Sequence, residues 1–305
     1  MKIGVVGTGL MGSSMALRLL SSGHRVWVYN RTPERLKPLD LAGAVVCSTP
    51  LELAQAVEAV IFMVTDGAAV RSLLDAMAVG DRTASSGGNR PSPLAQGAII
   101  QMGTIAPAES QLIEQAVIQA GATYLEAPVL GSIPEAKNGK LIIMVGAESA
   151  DYQRWQPLLA CLGTTLYHVG PVGSAATLKL AMNQLIGSLT AAFAESLGLV
   201  QAAGIDVDTF MAVVRQSALY APTFDKKLRR MQTRQFADPN FPTKHLLKDM
   251  GLFVAAAEAA GLATLPAESV RQIVAQAVQA GYADDDYAAL FNIVSPMPQL
   301  DKPAL

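Results

Sequence analysis

Lys2-Ile3-Gly4-Val5-Val6-Gly7-Thr8-Gly9-Leu10-Met11-Gly12 leads directly into Ser13-Ser14-Met15-Ala16-Leu17-Arg18-Leu19-Leu20. A short β-type apolar run, a Gly-x-Gly-x-x-Gly turn and a helical pattern thus follow one another without a break. This context aims backbone N–H groups and a helix N-terminus at one spot, which suits a pyrophosphate. A glycine pattern alone is a weak signal, and the flanking strand and helix are what give it meaning. Four glycines, Gly4, Gly7, Gly9 and Gly12, interrupt the apolar stretch after Lys2. A signal peptide is therefore not expected, and the sequence reads as cytoplasmic.

The next strand, Val26-Trp27-Val28-Tyr29, ends at Asn30-Arg31-Thr32. In a dinucleotide-binding fold this is where the adenosine ribose lies, and an NAD site usually places Asp or Glu there. Asn30 is neutral, and Arg31 and Thr32 offer a guanidinium and a hydroxyl. A 2′-phosphate suits such a set. The expected cofactor is NADP(H), with Gly7, Gly9, Leu10, Met11 and Gly12 at the pyrophosphate and Asn30, Arg31 and Thr32 at the ribose.

Outward from this start, strands and helices alternate. Apolar runs at Val60–Val64, Ala98–Met102 and Lys140–Val145 read as strands. Helical patterns fall at 51–57, 68–77, 107–120 and 150–159, and a final strand at 165–169. This alternation predicts a doubly wound, mainly parallel sheet of Rossmann type. Ser85 to Pro93 reads as loop by composition. After Gly170-Pro171-Val172-Gly173 strand patterns cease, and alanine- and leucine-rich helices are expected at 175–203, 208–216, 244–260, 266–280 and 284–291. Two domains follow: residues 1–169 bind the dinucleotide, and residues 170–305 form an all-α domain with a long interdomain helix, a substrate cleft and an oligomerisation surface.

Composition excludes several classes. The 305 residues are 51% hydrophobic and 16% charged, with a formal net charge of −2. That balance supplies no basic field for nucleic acid. Cys47 and Cys161 form no disulfide framework, and His24, His168 and His245 lack ligand spacing, so no metal is expected. The run nearest to a membrane span, Leu180–Ala194, is short and holds Asn183 and Gln184, so no membrane partner is expected.

Four motifs, in order, carry a resemblance that extends nearly end to end. They are the opening Gly-Thr-Gly-Leu-Met-Gly, Glu126-Ala127-Pro128-Val129-Leu130-Gly131-Ser132, Gly170-Pro171-Val172-Gly173 followed by Lys179 and Asn183, and Phe241-Pro242-Thr243-Lys244 followed by Lys248-Asp249. The chain resembles the β-hydroxyacid dehydrogenase family: 3-hydroxyisobutyrate dehydrogenases, tartronate semialdehyde reductases, and glyoxylate or succinic semialdehyde reductases. The last branch is the most similar.

The resemblance implies that Lys179 is the catalytic acid/base and that Asn183 orients substrate. Their spacing of four puts both on one helix face. An ammonium there can stabilise and protonate the oxygen of a carbonyl that accepts hydride. It also implies that Leu130, Gly131 and Ser132 meet the substrate carboxylate, although the family usually has serine where Leu130 stands. Phe241 then helps line the nicotinamide pocket, Lys248 reaches the cofactor or the substrate, Asp249 accompanies them at the substrate cleft, and Val64, Thr65 and Thr104 are along the cofactor. The family commonly has serine at the position of Gly103. The expected activity is NADPH-dependent reduction of a small aldehyde or keto acid by a homodimer or homotetramer. Two rivals remain. Leu130 admits an imine reductase or a reductase of uncharged carbonyls. A non-catalytic NADP-binding module is the other, and the retained Lys179 argues against it and against an imine reductase.

Overall fold

A computed structural model describes residues 1–77 and 93–296. The loop expected at Ser85 to Pro93 lies, apart from Pro93, outside the described residues. The chain divides into two compact units, Met1–Lys179 and Leu180–Leu305.

The first unit runs β1 (Lys2–Val6), α1 (Leu10–Ser21), β2 (Arg25–Tyr29), α2 (Lys37–Leu41), β3 (Val45–Val46), α3 (Pro50–Ala56), β4 (Ala59–Phe62) and α4 (Gly67–Ala76). It continues with β5 (Ala98–Gln101), α5 (Pro107–Gln119), β6 (Thr123–Glu126), β7 (Val129–Leu130), α6 (Ile133–Asn138), β8 (Ile142–Gly146), α7 (Ser149–Leu159) and β9 (Thr165–Gly170). The strand order is β3-β2-β1-β4-β5-β6-β8-β7, with β9 on β8. From β3 to β6 every pairing is parallel, which is the doubly wound order.

Alternation along the strands explains the two helical layers. Ile3, Val5, Val26, Val28, Ala59 and Ile61 pack into one core. Their neighbours Val6, Trp27, Val60 and Phe62 pack into the other. Successive strand side chains point to opposite faces, so a strand apolar at every position must be covered on both.

Three differences from the sequence reading have physical causes. First, β8 runs antiparallel to β6 and β7, so the far edge of the sheet is mixed. A tight return through α6 makes this direction available, whereas a parallel return needs a longer crossover. Second, α6 follows the Glu126–Ser132 motif, where no helix is expected from sequence. Ser132 and Glu135 form a capping box at its start, and Gly139 at φ +64° ends it. Third, the compact unit extends past the expected border at 169 to Lys179. The first turn of the next helix is tied to β6 by hydrogen bonds described below.

The long helix α8 (Ser174–Ala202) has 29 residues and enters the second unit. It matches the helix expected at 175–203, and by length and composition it could cross a membrane, with mean hydropathy 1.3 over an 18-residue window. It nevertheless buries the polar side chains of Asn183 and Thr190. The unit continues with α9 (Val207–Gln216), α10 (Pro222–Thr233), α11 (Thr243–Ala259), α12 (Leu265–Ala277) and α13 (Phe291–Val294).

The sequence reading lacked α10. Its charged stretch Asp225-Lys226-Lys227 obscures an apolar stripe of Phe224, Leu228 and Met231, which all face the core. The helix expected at 284–291 is instead a 3₁₀ turn, Tyr287–Leu290, leading into α13. Asp286 starts that turn by accepting the Ala288 N–H at 3.1 Å.

Candidate active site

Within the first unit, the carboxyl edge of the sheet gathers three loops. At Gly7, φ is +90° and a Cβ would run into the Met63 carbonyl. At Gly12 a Cβ would strike the Gly7 carbonyl, so α1 starts hard against the turn. Gly9 differs: a Cβ there would come no closer to anything than 4.0 Å, from Arg35 Nη1. No side chain caps α1 at Gly9. Open space over the amides of a helix N-terminus, beside a guanidinium, fits the pyrophosphate of a dinucleotide.

Asn30 takes a more mechanical part than its position at the ribose implies. Its Oδ1 accepts the Thr8 N–H at 3.1 Å, and its Nδ2 donates to the Thr32 carbonyl at 3.0 Å. It thereby braces the glycine turn against the end of β2. Arg31, Thr32 and Arg35 are exposed beyond it. Arg35 is a residue that the motif reading missed. Its signal is a second guanidinium four residues after Arg31, just inside the turn that follows β2.

The other two loops are Val64-Thr65 after β4 and Gly103-Thr104 after β5. Gly103 packs on the Val64 carbonyl so closely that a Cβ would collide with it. The serine common in the family would require this loop to move. Gln101, almost fully buried, holds the loop through Nε2 to the Gly103 carbonyl at 3.3 Å. Val64 and Thr104 are half-buried and Thr65 is exposed.

After β6 the chain reaches Leu130, Gly131 and Ser132. Leu130 is half-buried, and Gly131 has φ +118°. Both donors of Ser132 are already engaged: its N–H and its hydroxyl each donate to Glu135 Oε2 at 2.7 Å. The side chain expected to greet a substrate carboxylate therefore holds an internal one.

Glu126, the last residue of β6, is 1% exposed. Its Oε1 accepts the N–H groups of Gly173 and Ala175 at 2.8 Å and of Ala176 at 3.1 Å. Burial pushes its carboxyl above the usual carboxylate range, and the Ser110 hydroxyl and then the amides pull the other way without cancelling the rise. Lys179, half-buried, follows on the next turn of α8.

In the second unit, Asn183 is 1% exposed and its Nδ2 donates to Asp249 Oδ2 at 2.6 Å. The other carboxylate oxygen, Oδ1, lies 2.8 Å from Lys248 Nζ. Asn183 Oδ1 is buried and has no hydrogen-bond partner. Asn183, Lys248 and Asp249 thus form one cluster. Phe241 is half-buried and meets Tyr287 edge-on, with ring centroids 5.6 Å apart. Lys244 pairs with Asp284 instead of joining Lys248.

The same unit holds a buried pair that the motifs did not point to. Lys227 Nζ donates to both oxygens of Asp286, at 2.7 and 2.9 Å, and sits 4.0 Å from the Tyr287 ring centroid. Burial lowers the Lys227 ammonium pKa, Asp286 opposing it, and pushes the Tyr287 phenol up to about 12.

A doubly wound sheet with an uncapped glycine turn, joined to an all-α unit, defines a dinucleotide-binding α/β protein. Residues 2–170, more than half of the chain, match the family described as the NAD binding domain of 6-phosphogluconate dehydrogenase. Residues 173–294 match the NAD-binding region of NADP-dependent 3-hydroxyisobutyrate dehydrogenase. Glyoxylate/succinic semialdehyde reductase 2, chloroplastic, of Arabidopsis thaliana is 33% identical over 291 residues, covering 95% of this chain and 78% of that protein. Glyoxylate/succinic semialdehyde reductase 1 of the same plant is 30% identical over 295 residues, covering 96% and 98%. The structure of 3-hydroxyisobutyrate dehydrogenase from Salmonella typhimurium superposes with a TM-score of 0.83 at 26% identity, covering 96% and 99%. The chain belongs to the 3-hydroxyisobutyrate dehydrogenase-like family of β-hydroxyacid dehydrogenases, NAD(P)-dependent oxidoreductases acting on CH–OH groups.

Proposed function

We propose that this chain is an NADPH-dependent reductase of a small aldehyde or keto acid, glyoxylate and succinic semialdehyde being the first candidates, and that it runs reversibly as a hydroxyacid dehydrogenase. The observation that carries this reading is the end-to-end match to two relatives of that name. Lys179 and Asn183, four apart on α8, supply the chemistry. The nicotinamide, when bound, supplies hydride to the carbonyl carbon. Lys179 donates a proton to the carbonyl oxygen as negative charge builds there, and regains one from solvent. Asn183 is held by Asp249 and keeps its Oδ1 as an acceptor for a substrate hydroxyl. Arg31 and Arg35 support a 2′-phosphate over a bare ribose. Exposed Leu185, Leu189 and Leu199 along α8 support a homodimer or homotetramer.

A second reading has its own observation. Leu130 offers apolar bulk, and Glu135 occupies both Ser132 donors. A substrate carboxylate would have to displace a like charge, whereas an uncharged carbonyl or cyclic imine would not.

NADPH oxidation followed at 340 nm against glyoxylate, succinic semialdehyde, tartronate semialdehyde, an uncharged aldehyde and a cyclic imine separates these readings. Turnover of a carboxylate aldehyde supports the first, and turnover only of uncharged compounds selects the second. Silence on all, with NADPH bound, leaves a non-catalytic module. Lys179→Ala should lower kcat by about 100-fold or more, the range of general acid catalysis, without changing NADPH affinity. Arg31→Ala should weaken NADPH by about tenfold and leave NADH unmoved, as expected for one charge-assisted contact. An unchanged NADPH/NADH ratio would defeat the phosphate assignment.

A further inference from the structure

We propose that Glu126 is a positioning residue for catalysis, which sets where Lys179 stands by locking the first turn of α8 to the end of β6. This rests on the reading of Lys179 as the proton donor.

A helix begins with N–H groups that have no partner within it, and local side chains usually satisfy them. At α8 the partner comes from another element. One oxygen of Glu126 takes three of these amides, from Gly173, Ala175 and Ala176. A local cap secures a helix only to itself. Glu126 is the last residue of a central strand, so its contacts secure the helix to the sheet. Lys179 follows Ala176 by three residues, about 4.5 Å along a helix axis. A rigid helix passes any shift of its first turn to Lys179 almost undiminished, and a misplacement of about 1 Å can cost about 100-fold in rate.

The sheet is shaped to permit this contact. Gly146 faces Glu126 across the β6–β8 pairing, and a Cβ at Gly146 would collide with Glu126 Oε1. Gly173 adopts φ +101°, which brings the start of α8 round to the carboxylate. The second oxygen, Oε2, is buried with no hydrogen-bond partner, so a single acceptor oxygen does the holding. A glutamine keeps such an oxygen, and an alanine does not.

The test uses Glu126→Ala, Glu126→Gln, Gly146→Ala and the double variant E126A/G146A, with Lys179→Ala alongside. The readouts are kcat and KM on a carbonyl that the parent protein reduces, and the NADPH dissociation constant by fluorescence. E126A should lower kcat by about 30- to 100-fold, with KM and NADPH affinity within about threefold. E126Q should recover kcat to within about fivefold of the parent. G146A should lower kcat by about tenfold in the parent and change nothing further in E126A, because both changes remove one contact. A merely structural glutamate would lower the melting temperature but leave kcat of the folded protein in place.

An unchanged kcat in E126A, a parallel collapse of NADPH affinity, or independent multiplication of the G146A and E126A effects overturns the proposal. If E126A does not fold, G146A and E126Q decide: a G146A protein with parental kcat overturns it. Retained turnover in K179A defeats the Lys179 reading itself. Loss in K179A with none in E126A defeats only the positioning role.

Discussion

The two units hold their functional groups by different means. In the first, backbone does the work. Gly7, Gly12 and Gly103 are placed where a single methyl would meet a carbonyl, and the loops they form sit at the carboxyl edge of the sheet. In the second, side chains do it. Asn183, Asp249 and Lys248 hold one another, and Lys227 and Asp286 form a buried pair. The first unit presents rigid amides to a ligand, and errors there are steric. The second keeps charges out of water, and errors there are electrostatic, with a large share of the effect falling on stability.

The largest expected effect tests the second half of that contrast. Lys227→Met should destabilise the protein by about 3 kcal/mol, because Asp286, with no exposed side-chain surface, would keep its charge and lose its main partner. Arg230, 3.9 Å from Asp286 Oδ2, places the cost at the lower end of the range for a broken buried pair. Urea unfolding gives the stability, and NADPH titration of the folded variant should show parental affinity. Equal damage to both would break the separation between the units.

Next comes Gly12→Ala, the steric counterpart. Its methyl would press on the Gly7 carbonyl and push the turn away from α1. NADPH affinity should fall by about 100-fold, about 2.7 kcal/mol at 25 °C, while the midpoint in urea moves less than in Lys227→Met. A variant that keeps its affinity would mean that the turn adapts, and the rigid-amide description would fail.

The same contrast governs what could be read from the sequence. Glycines report backbone geometry directly, so the opening strand, turn and helix were legible from residue identity and spacing, and the alternation of strands and helices gave the mainly parallel sheet without its strand order. The hydrogen bond between Asn183 and Asp249 was not legible, since spacing alone does not say that two residues 66 positions apart meet. The roles of Glu126 and Glu135 were hidden for a related reason. A glutamate in a loop motif looks like any other until the amides it accepts are located, although Ser132 and Glu135 did carry the spacing of a capping box. Arg35 was missed because it lies beyond the motif, and α10 because its charges outnumber its apolar stripe. Lys227 and Asp286 form the least legible pair, because charged residues are ordinarily read as surface.

A smaller prediction sharpens the electrostatic side. His245 lies on α11 among Lys248, Asp249, Lys244 and Asp284, and burial, followed by Lys248, pushes its imidazole below the ordinary value of 6.5. Below pH 6.5 the unfolded chain takes up a proton that the folded chain resists. The folded state is therefore disfavoured as the pH falls from 6.5 toward the native value, and the group contributes no pH dependence above 6.5. The loss is bounded by about 1.4 kcal/mol for each unit of lowering. His245→Gln removes this proton uptake and keeps a polar side chain of similar reach. Its stability in urea should decline less than that of the parent between about pH 7 and pH 5, while His24, lowered in the same direction by its own burial, contributes equally to both proteins. Identical slopes would mean that His245 takes its proton as readily folded as unfolded, and that the charges around it offset the burial. A slope reversed in sign would mean that Asp249 and Asp284 outweigh Lys244 and Lys248. The cluster holding Asn183 would then attract cations, not resist them.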